Sequence, residues 1–212
     1  MIFIIFVAAL SISNNAFYLL MLFILTGMMF EWHVITKSNF FYWALGILLP
    51  IPIICLIFLK SYFAQSGLLI FWYFIIIWTN DTAAMIAGRN IGGPRLAPII
   101  SPNKTWSGFV LGVLTSSLIA IITNHLLKQL FNAPLFSKDI ANSSVWLIAL
   151  LIAIIAQLSD LSISLVKRRF KVKDSGNLIP GHGGVLDRFD SIIFTSPILL
   201  LISFLISSST HF

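Results

Sequence analysis

Asp160, Ser164 and Lys167 follow i, i+4, i+7 spacing, with Arg168 beside them, so on a helix these side chains share one broad face. Asp187 and Asp190 stand three residues apart and share another. Between the two groups, Gly176, Pro180, Gly181, Gly183 and Gly184 oppose a continuous helix, so the chain can fold back and bring its two acidic ends together. Carboxylates from separate helices make an oxygen-rich site of the kind Mg²⁺ uses alongside substrate phosphates. Neighbouring lysines and arginines hold phosphate groups through charge-assisted hydrogen bonds. The combination suits phosphoryl or nucleotidyl transfer, in which cations offset charge on attacking and leaving oxygens. A zinc protease fits poorly, because His182 stands without an HExxH pattern or a partner at ligand spacing.

Two upstream stretches carry further polar chemistry. Asp81 sits inside the apolar run FIIIWTNDTAAMIAGR, where a buried carboxylate costs several kcal/mol unless a cation, metal or hydrogen-bond network receives it. Asn80, Asp81 and Arg89 are therefore candidates for a lined cavity, and a structural Asp81–Arg89 pair across two helical turns is the alternative. The following segment, GRNIGGPRLAPIISPNKTWSG at 88–108, is rich in Gly and Pro and carries Arg89, Arg95 and Lys104. It reads as a loop able to offer backbone N–H groups and cations to phosphate, with Thr105 or Ser107 near the start of the next helix. The P-loop spacing is absent, and an ordinary basic loop competes with the phosphate reading.

The scaffold that must position these residues is apolar. Of the amino acids, 58% are hydrophobic and 9% charged, and mean hydropathy is +1.00. Residues 157–190 hold four of the seven acidic residues and six of the thirteen Lys and Arg residues, a polar centre on a membrane framework. The chain therefore reads as an all-α polytopic integral membrane protein with about six or seven transmembrane helices, since helices satisfy their own backbone groups in lipid. The net charge of +6 fits cytoplasmic loops and an anionic substrate or leaflet rather than nucleic acid. Cys55, the single cysteine, excludes an internal disulfide.

Apolar runs are expected at 1–12, 16–35, 40–59, 68–87, 106–124, 143–159 and 191–206. The first is short and lacks the features of a cleaved signal. Glu31 and His33 lie near the end of the second, where placement at the membrane interface is expected and contact with the active region is the alternative. Pro50 and Pro52 predict a kink in the third. Residues 125–142, with His125, Lys128, Lys138 and Asp139, read as a solvated connection. Loops near 88–105 and 164–188 carry the positive charge and fall on one side, which the positive-inside bias makes cytoplasmic. Residues 1–65 are expected to form amino-terminal membrane helices, and 66–212 a catalytic membrane domain.

The string SLVKRRFKVKDSGNLIPGHGGVLDRFD, Ser164 to Asp190, resembles the signature of bacterial phosphatidate cytidylyltransferases, also called CDP-diacylglycerol synthases. WTNDTAAMIAGRNIGG at 78–93 and LAPIISPNKTWSGFVLG at 96–112 match upstream motifs in the same order, so the resemblance covers about 70–205. It implies a bacterial inner-membrane enzyme, with its active site facing the cytoplasm, that converts CTP and phosphatidic acid to CDP-diacylglycerol and pyrophosphate. The resemblance implies catalytic roles for Asp81, Lys104, Asp160, Lys167, Arg168, Asp187 and Asp190, with Asp160 and Asp187 at a Mg²⁺ centre. It implies nucleotide or phosphate contacts for Arg89, Ser101, Lys104, Thr105, Ser164, Lys173, Asp174, His182 and Arg188. A homodimer among membrane lipids is a further expectation.

Three positions depart from the family pattern. Ser159 stands where glycine usually precedes the aspartate, Ile163 where an acidic residue is common, and Ser107 where glutamate commonly follows KTW. The competing enzyme reading is a CTP-dependent lipid or polyprenol kinase, which transfers the γ-phosphoryl group and releases CDP. The competing non-enzyme reading is an anion transporter that uses Asp81 and the basic loops as an ion path.

Overall fold

Polar residues at the edges of the apolar runs set where the helices begin. Ser13 accepts the Ala16 N–H and opens α1 (Asn14–Thr36), and Asn39 accepts the Tyr42 N–H and opens α2 (Phe40–Leu45). These are caps in a computed structural model that describes residues 13–63, 66–132, 134–136, 140–178 and 183–208. The apolar run 1–12, Lys138, Asp139 and His182 lie outside the described residues.

A single 3₁₀ turn, Gly46–Leu48, separates α2 from α3 (Pro50–Tyr62), with Pro50 in the first turn of α3. The expected kink is therefore a short break placed where a proline needs no intrahelical donor. Then follow α4 (Ser66–Asn90), strands β1 (Arg95–Ala97) and β2 (Ser101–Thr105), α5 (Trp106–Phe131), α6 (Asn142–Arg169), the one-turn α7 (Leu186–Phe189) and α8 (Ile192–Ser208). Among the described residues, six helical segments are long and apolar enough to cross a membrane: Asn14–Thr36, Phe40–Tyr62, Ser66–Asn90, Trp106–Phe131, Asn142–Arg169 and Leu186–Ser208. The protein is an all-α polytopic membrane protein that carries, among the described residues, one small β-hairpin.

Several helices run further than hydropathy alone implies. α5 continues through His125 and Lys128 to Phe131, so both residues are helical rather than part of a connection. The segment LLKQLF consists largely of good helix formers, and backbone hydrogen bonding continues after the apolar window closes. α6 likewise passes 159 and ends at Arg169, which keeps Asp160, Ser164 and Lys167 on one unbroken helix. The Gly- and Pro-rich stretch after Asn90 is not wholly irregular: β1 and β2 pair antiparallel, with Arg95 opposite Thr105 and Ala97 opposite Ser101.

α4 runs along α5, and both pack against α6. The close approach of α4 and α5 depends on Gly108, where a Cβ would stand 2.6 Å from the Ala84 carbonyl oxygen. Asn80, expected to line a cavity, is instead packed between helices. Its amide donates to the Ala153 carbonyl at 3.1 Å, and Gln157 donates to its Oδ1 at 3.0 Å. The amino-terminal helices join the same assembly, since α3 packs on α8 and the Ser196 hydroxyl donates to the Pro52 carbonyl at 3.1 Å.

Candidate active site

α6 carries Asp160 toward one end of the bundle, and the β-hairpin returns Lys104 to the same place, where its ammonium donates to Asp160 Oδ2. The other oxygen of Asp160 accepts the Ser164 hydroxyl at 3.2 Å, as the i, i+4 spacing predicts. Two turns along α6, Lys167 is nearly buried and donates to Asp187 Oδ1 at 2.6 Å. Asp187 Oδ2 accepts the backbone N–H groups of Ser175 at 2.8 Å and Gly184 at 3.1 Å. The two edges of the glycine-rich reversal thus close on one carboxylate.

Asp190, one turn further, is buried. Its side chain meets Asp160, and the charges of Lys167 and Asp81 also act on it. Ser159 donates to the Asp190 carbonyl, so this departure from the family pattern adds a tie between α6 and the DRFD turn. The fold-back of the chain does bring its acidic ends together. Asp160 meets Asp190 most directly, while Asp187 is engaged by Lys167 and the loop backbone.

Asp81 completes the cluster. It is exposed although it stands within α4, and the charges that act on it are those of Asp160, Lys104 and Arg188. The Asp81 carboxylate thus shares its surroundings with the charged groups of the α6 and α7 segments. The alternative Asp81–Arg89 pairing does not form: Arg89 is exposed near the end of α4, and Asp81 faces other charges.

Other expected site residues hold the framework. Arg168 donates through Nε to the Ile100 carbonyl at 3.0 Å and through Nη1 to the Val172 carbonyl at 3.1 Å, tying the hairpin to the end of α6. Thr105 caps α5, accepting the Gly108 N–H at 3.1 Å, and Ser107 donates to the Gly92 carbonyl. Ser101 begins β2. Lys173 and Asp174 are exposed on the loop after α6, and Arg188 is exposed on α7. Ile163, at a position where the family pattern is commonly acidic, is buried in the core.

Glu31 takes the alternative role, contact with the active region: it is buried, and donors from Ser175, Val185 and Leu186 converge on it. The available signal was an acid within the apolar string MMFEWHV, where burial demands partners. His33 is exposed, accepting the Trp43 indole N–H at 2.9 Å.

The site therefore joins four carboxylates to Lys104, Lys167 and Arg188 at one end of the bundle. A family model described as the cytidylyltransferase family matches residues 1–206. The chain belongs to the cytidylyltransferase family. It is 47% identical over 199 residues to a phosphatidate cytidylyltransferase of Rickettsia bellii (strain RML369-C), covering 93% of this chain and 84% of that protein. A second, from Rickettsia felis (strain ATCC VR-1525 / URRWXCal2), is 47% identical over 201 residues, covering 94% and 87%. A more distant one, from Staphylococcus haemolyticus (strain JCSC1435), is 40% identical over 172 residues, covering 78% and 62%. The cytidylyltransferase match extends into the amino-terminal helices, well beyond the motifs around Asp81, Lys104 and Asp160–Asp190.

Proposed function

We propose that this protein transfers the cytidylyl group of CTP to phosphatidate, forming CDP-diacylglycerol and pyrophosphate. The observation that carries the reading is the convergence of Lys104–Asp160 and Lys167–Asp187 with Asp81 and Asp190, in a chain that matches phosphatidate cytidylyltransferases over nine tenths of its length. A phosphate oxygen of phosphatidate attacks the α-phosphorus of CTP, and the bond from that phosphorus to the β-phosphate bridging oxygen breaks. Pyrophosphate leaves with those electrons. The attacking oxygen is already anionic near neutral pH, so the reaction needs neither a serine nucleophile nor a histidine base. Its larger demand is for positive charge around the phosphates. In this reading Lys104 and Lys167 exchange their carboxylate partners for phosphate oxygens.

Mg²⁺ is the proposed cofactor, and Asp160 and Asp187 would hold it. The donor chemistry fits a hard cation, because both groups are carboxylates, and the oxygens that Lys104 and Lys167 now hold become available as those lysines turn to phosphate. Among the described residues no three His, Cys, Asp or Glu side chains converge as a metal cage. Mg²⁺ typically binds one or two carboxylates together with substrate phosphates, so such a cage is not required. When bound, the ion offsets triphosphate charge.

The same reading places the protein in the bacterial inner membrane with its site toward the cytoplasm, where CTP is found, and leaves the acyl chains of phosphatidate in the inner leaflet. Positive charge on the segments at 88–105 and 164–188 supports that orientation. A homodimer is part of the proposal. Crosslinking in native membranes tests it, and loss of the crosslink on dilution into excess lipid contradicts a stable pair. For the reaction itself, purified protein given phosphatidate, CTP and Mg²⁺ should release CDP-diacylglycerol and pyrophosphate in equal amounts. Release of CDP without pyrophosphate would contradict it.

A further inference from the structure

We propose that Glu31 is a positioning residue for the Asp187 carboxylate, acting from α1 through the loop that joins α6 to α7. The inference rests on the reaction proposed above for its kinetic consequences. Glu31 Oε1 accepts the Val185 N–H at 2.8 Å. Oε2 accepts the Leu186 N–H at 2.9 Å and the Ser175 hydroxyl at 2.6 Å.

Each of these donors is coupled to Asp187. Val185 and Leu186 immediately precede it and set the start of α7. Ser175 gives its hydroxyl to Glu31 and its backbone N–H to Asp187 Oδ2, which also accepts the Gly184 N–H. One loop is therefore held between two carboxylates, with Glu31 on one side and Asp187 on the other. Residues 175 and 184 are the clasp.

The packing leaves little room for another arrangement. A Cβ at Gly176 would stand 2.9 Å from Glu31 Oε1, and a Cβ at Gly184 would fall on the Ser175 hydroxyl and the Glu31 carboxylate. Gly183 holds φ at +82°, a conformation glycine adopts freely. The loop is thus shaped to wrap an acidic group supplied by a distant helix. A carboxylate is suited to this position because it only accepts and can receive all three donors. The amide of glutamine would turn an N–H donor toward at least one of them.

Burying a carboxylate is costly, and an apolar side chain would fill the same volume without that cost. What an apolar residue cannot supply is a fixed start for α7 and a fixed Ser175. The loop backbone thereby fixes one oxygen of Asp187 and leaves the other toward Lys167 and the site. Small displacements of a catalytic group reduce turnover sharply, which makes Glu31 a determinant of rate rather than of substrate binding.

The test compares wild-type protein with Glu31→Gln, Glu31→Asp and Ser175→Ala, measuring kcat and KM for CTP and phosphatidate, thermal midpoint in detergent, and hydrogen exchange of residues 175–187. The expected result for E31Q is a folded protein with a lowered thermal midpoint, KM values within about twofold and kcat lowered by about 10- to 100-fold at temperatures where it remains folded. E31D should recover part of the lost kcat. Wild-type kcat in folded E31Q would overturn the proposal, as would loss expressed only in stability. Should E31Q fail to fold, S175A decides: a severalfold fall in kcat at unchanged KM supports the role, and wild-type kcat overturns it. Absence of cytidylyl transfer by the wild-type protein would refute the reaction instead. In that case the exchange measurement judges the loop alone: faster exchange at 184–186 in the variants supports the clasp, and unchanged exchange overturns it.

Discussion

Lys104 and Asp160 lie 56 residues apart in the chain and meet as an ion pair at the end of the bundle. Both are about one quarter exposed, at 26% and 25%, so solvent screens the pair and its value to folding is small. Its place beside Asp81 and Asp190 points to chemistry instead. Lys104→Met and Asp160→Asn are each expected to insert normally and to lose on the order of 100-fold in kcat/KM, the scale of one preorganised electrostatic partner. The double variant should lose less than the product of the two single losses, because both act on one phosphate-binding arrangement. Strict multiplicativity in a double-mutant cycle would show that the two residues work separately.

Arg168 gives a different expectation from the one its charge suggests. Two of its three guanidinium nitrogens reach the carbonyls of Ile100 and Val172, so it fixes the hairpin carrying Lys104 against the end of α6. Arg168→Lys keeps the charge but cannot reproduce a planar fork between two carbonyls. A fall of about tenfold in kcat is expected. Steady-state kinetics equal to wild type would instead assign Arg168 a role that needs charge alone.

Orientation can be measured without turnover. Asn177, on the segment that follows the carboxyl end of α6, and Gln129, near the carboxyl end of α5, are both exposed, and the buried Cys55 is the only cysteine of the sequence. In a Cys55→Ala background, Asn177→Cys should react with a membrane-impermeant thiol reagent only from the cytoplasmic face, and Gln129→Cys only from the outer face. Labelling of both from outside would contradict the proposed topology.

Hydropathy located the membrane helices because lipid imposes a strong and simple requirement on the backbone. Spacing along α6 also placed Asp160, Ser164 and Lys167 correctly, since all three lie on one helix and no tertiary information is needed. The hairpin was less legible. Its two strands have three and five residues, and the sequence APIISPNKT shows no alternating pattern to separate a pair of strands from an irregular loop. Glu31 was harder still, because its partners are more than 140 residues away and two of them are backbone N–H groups, which leave no trace in side-chain spacing. The carboxylate that sits closest to Asp160 was also not fixed by sequence: i, i+3 spacing groups Asp187 with Asp190 but does not say which one turns toward α6.

In the proposed reaction the phosphorus attacked is the α-phosphorus of CTP. That reaction is tested most directly by supplying the purified protein with phosphatidate, Mg²⁺ and CTP labelled in parallel at the α- or the γ-phosphate. Cytidylyl transfer puts α-label in the lipid product and γ-label in pyrophosphate, with both suppressed by alanine at Asp160 or Asp187 in protein that still inserts. Label entering the lipid from the γ position, with CDP released, would contradict it and establish a CTP-dependent lipid kinase.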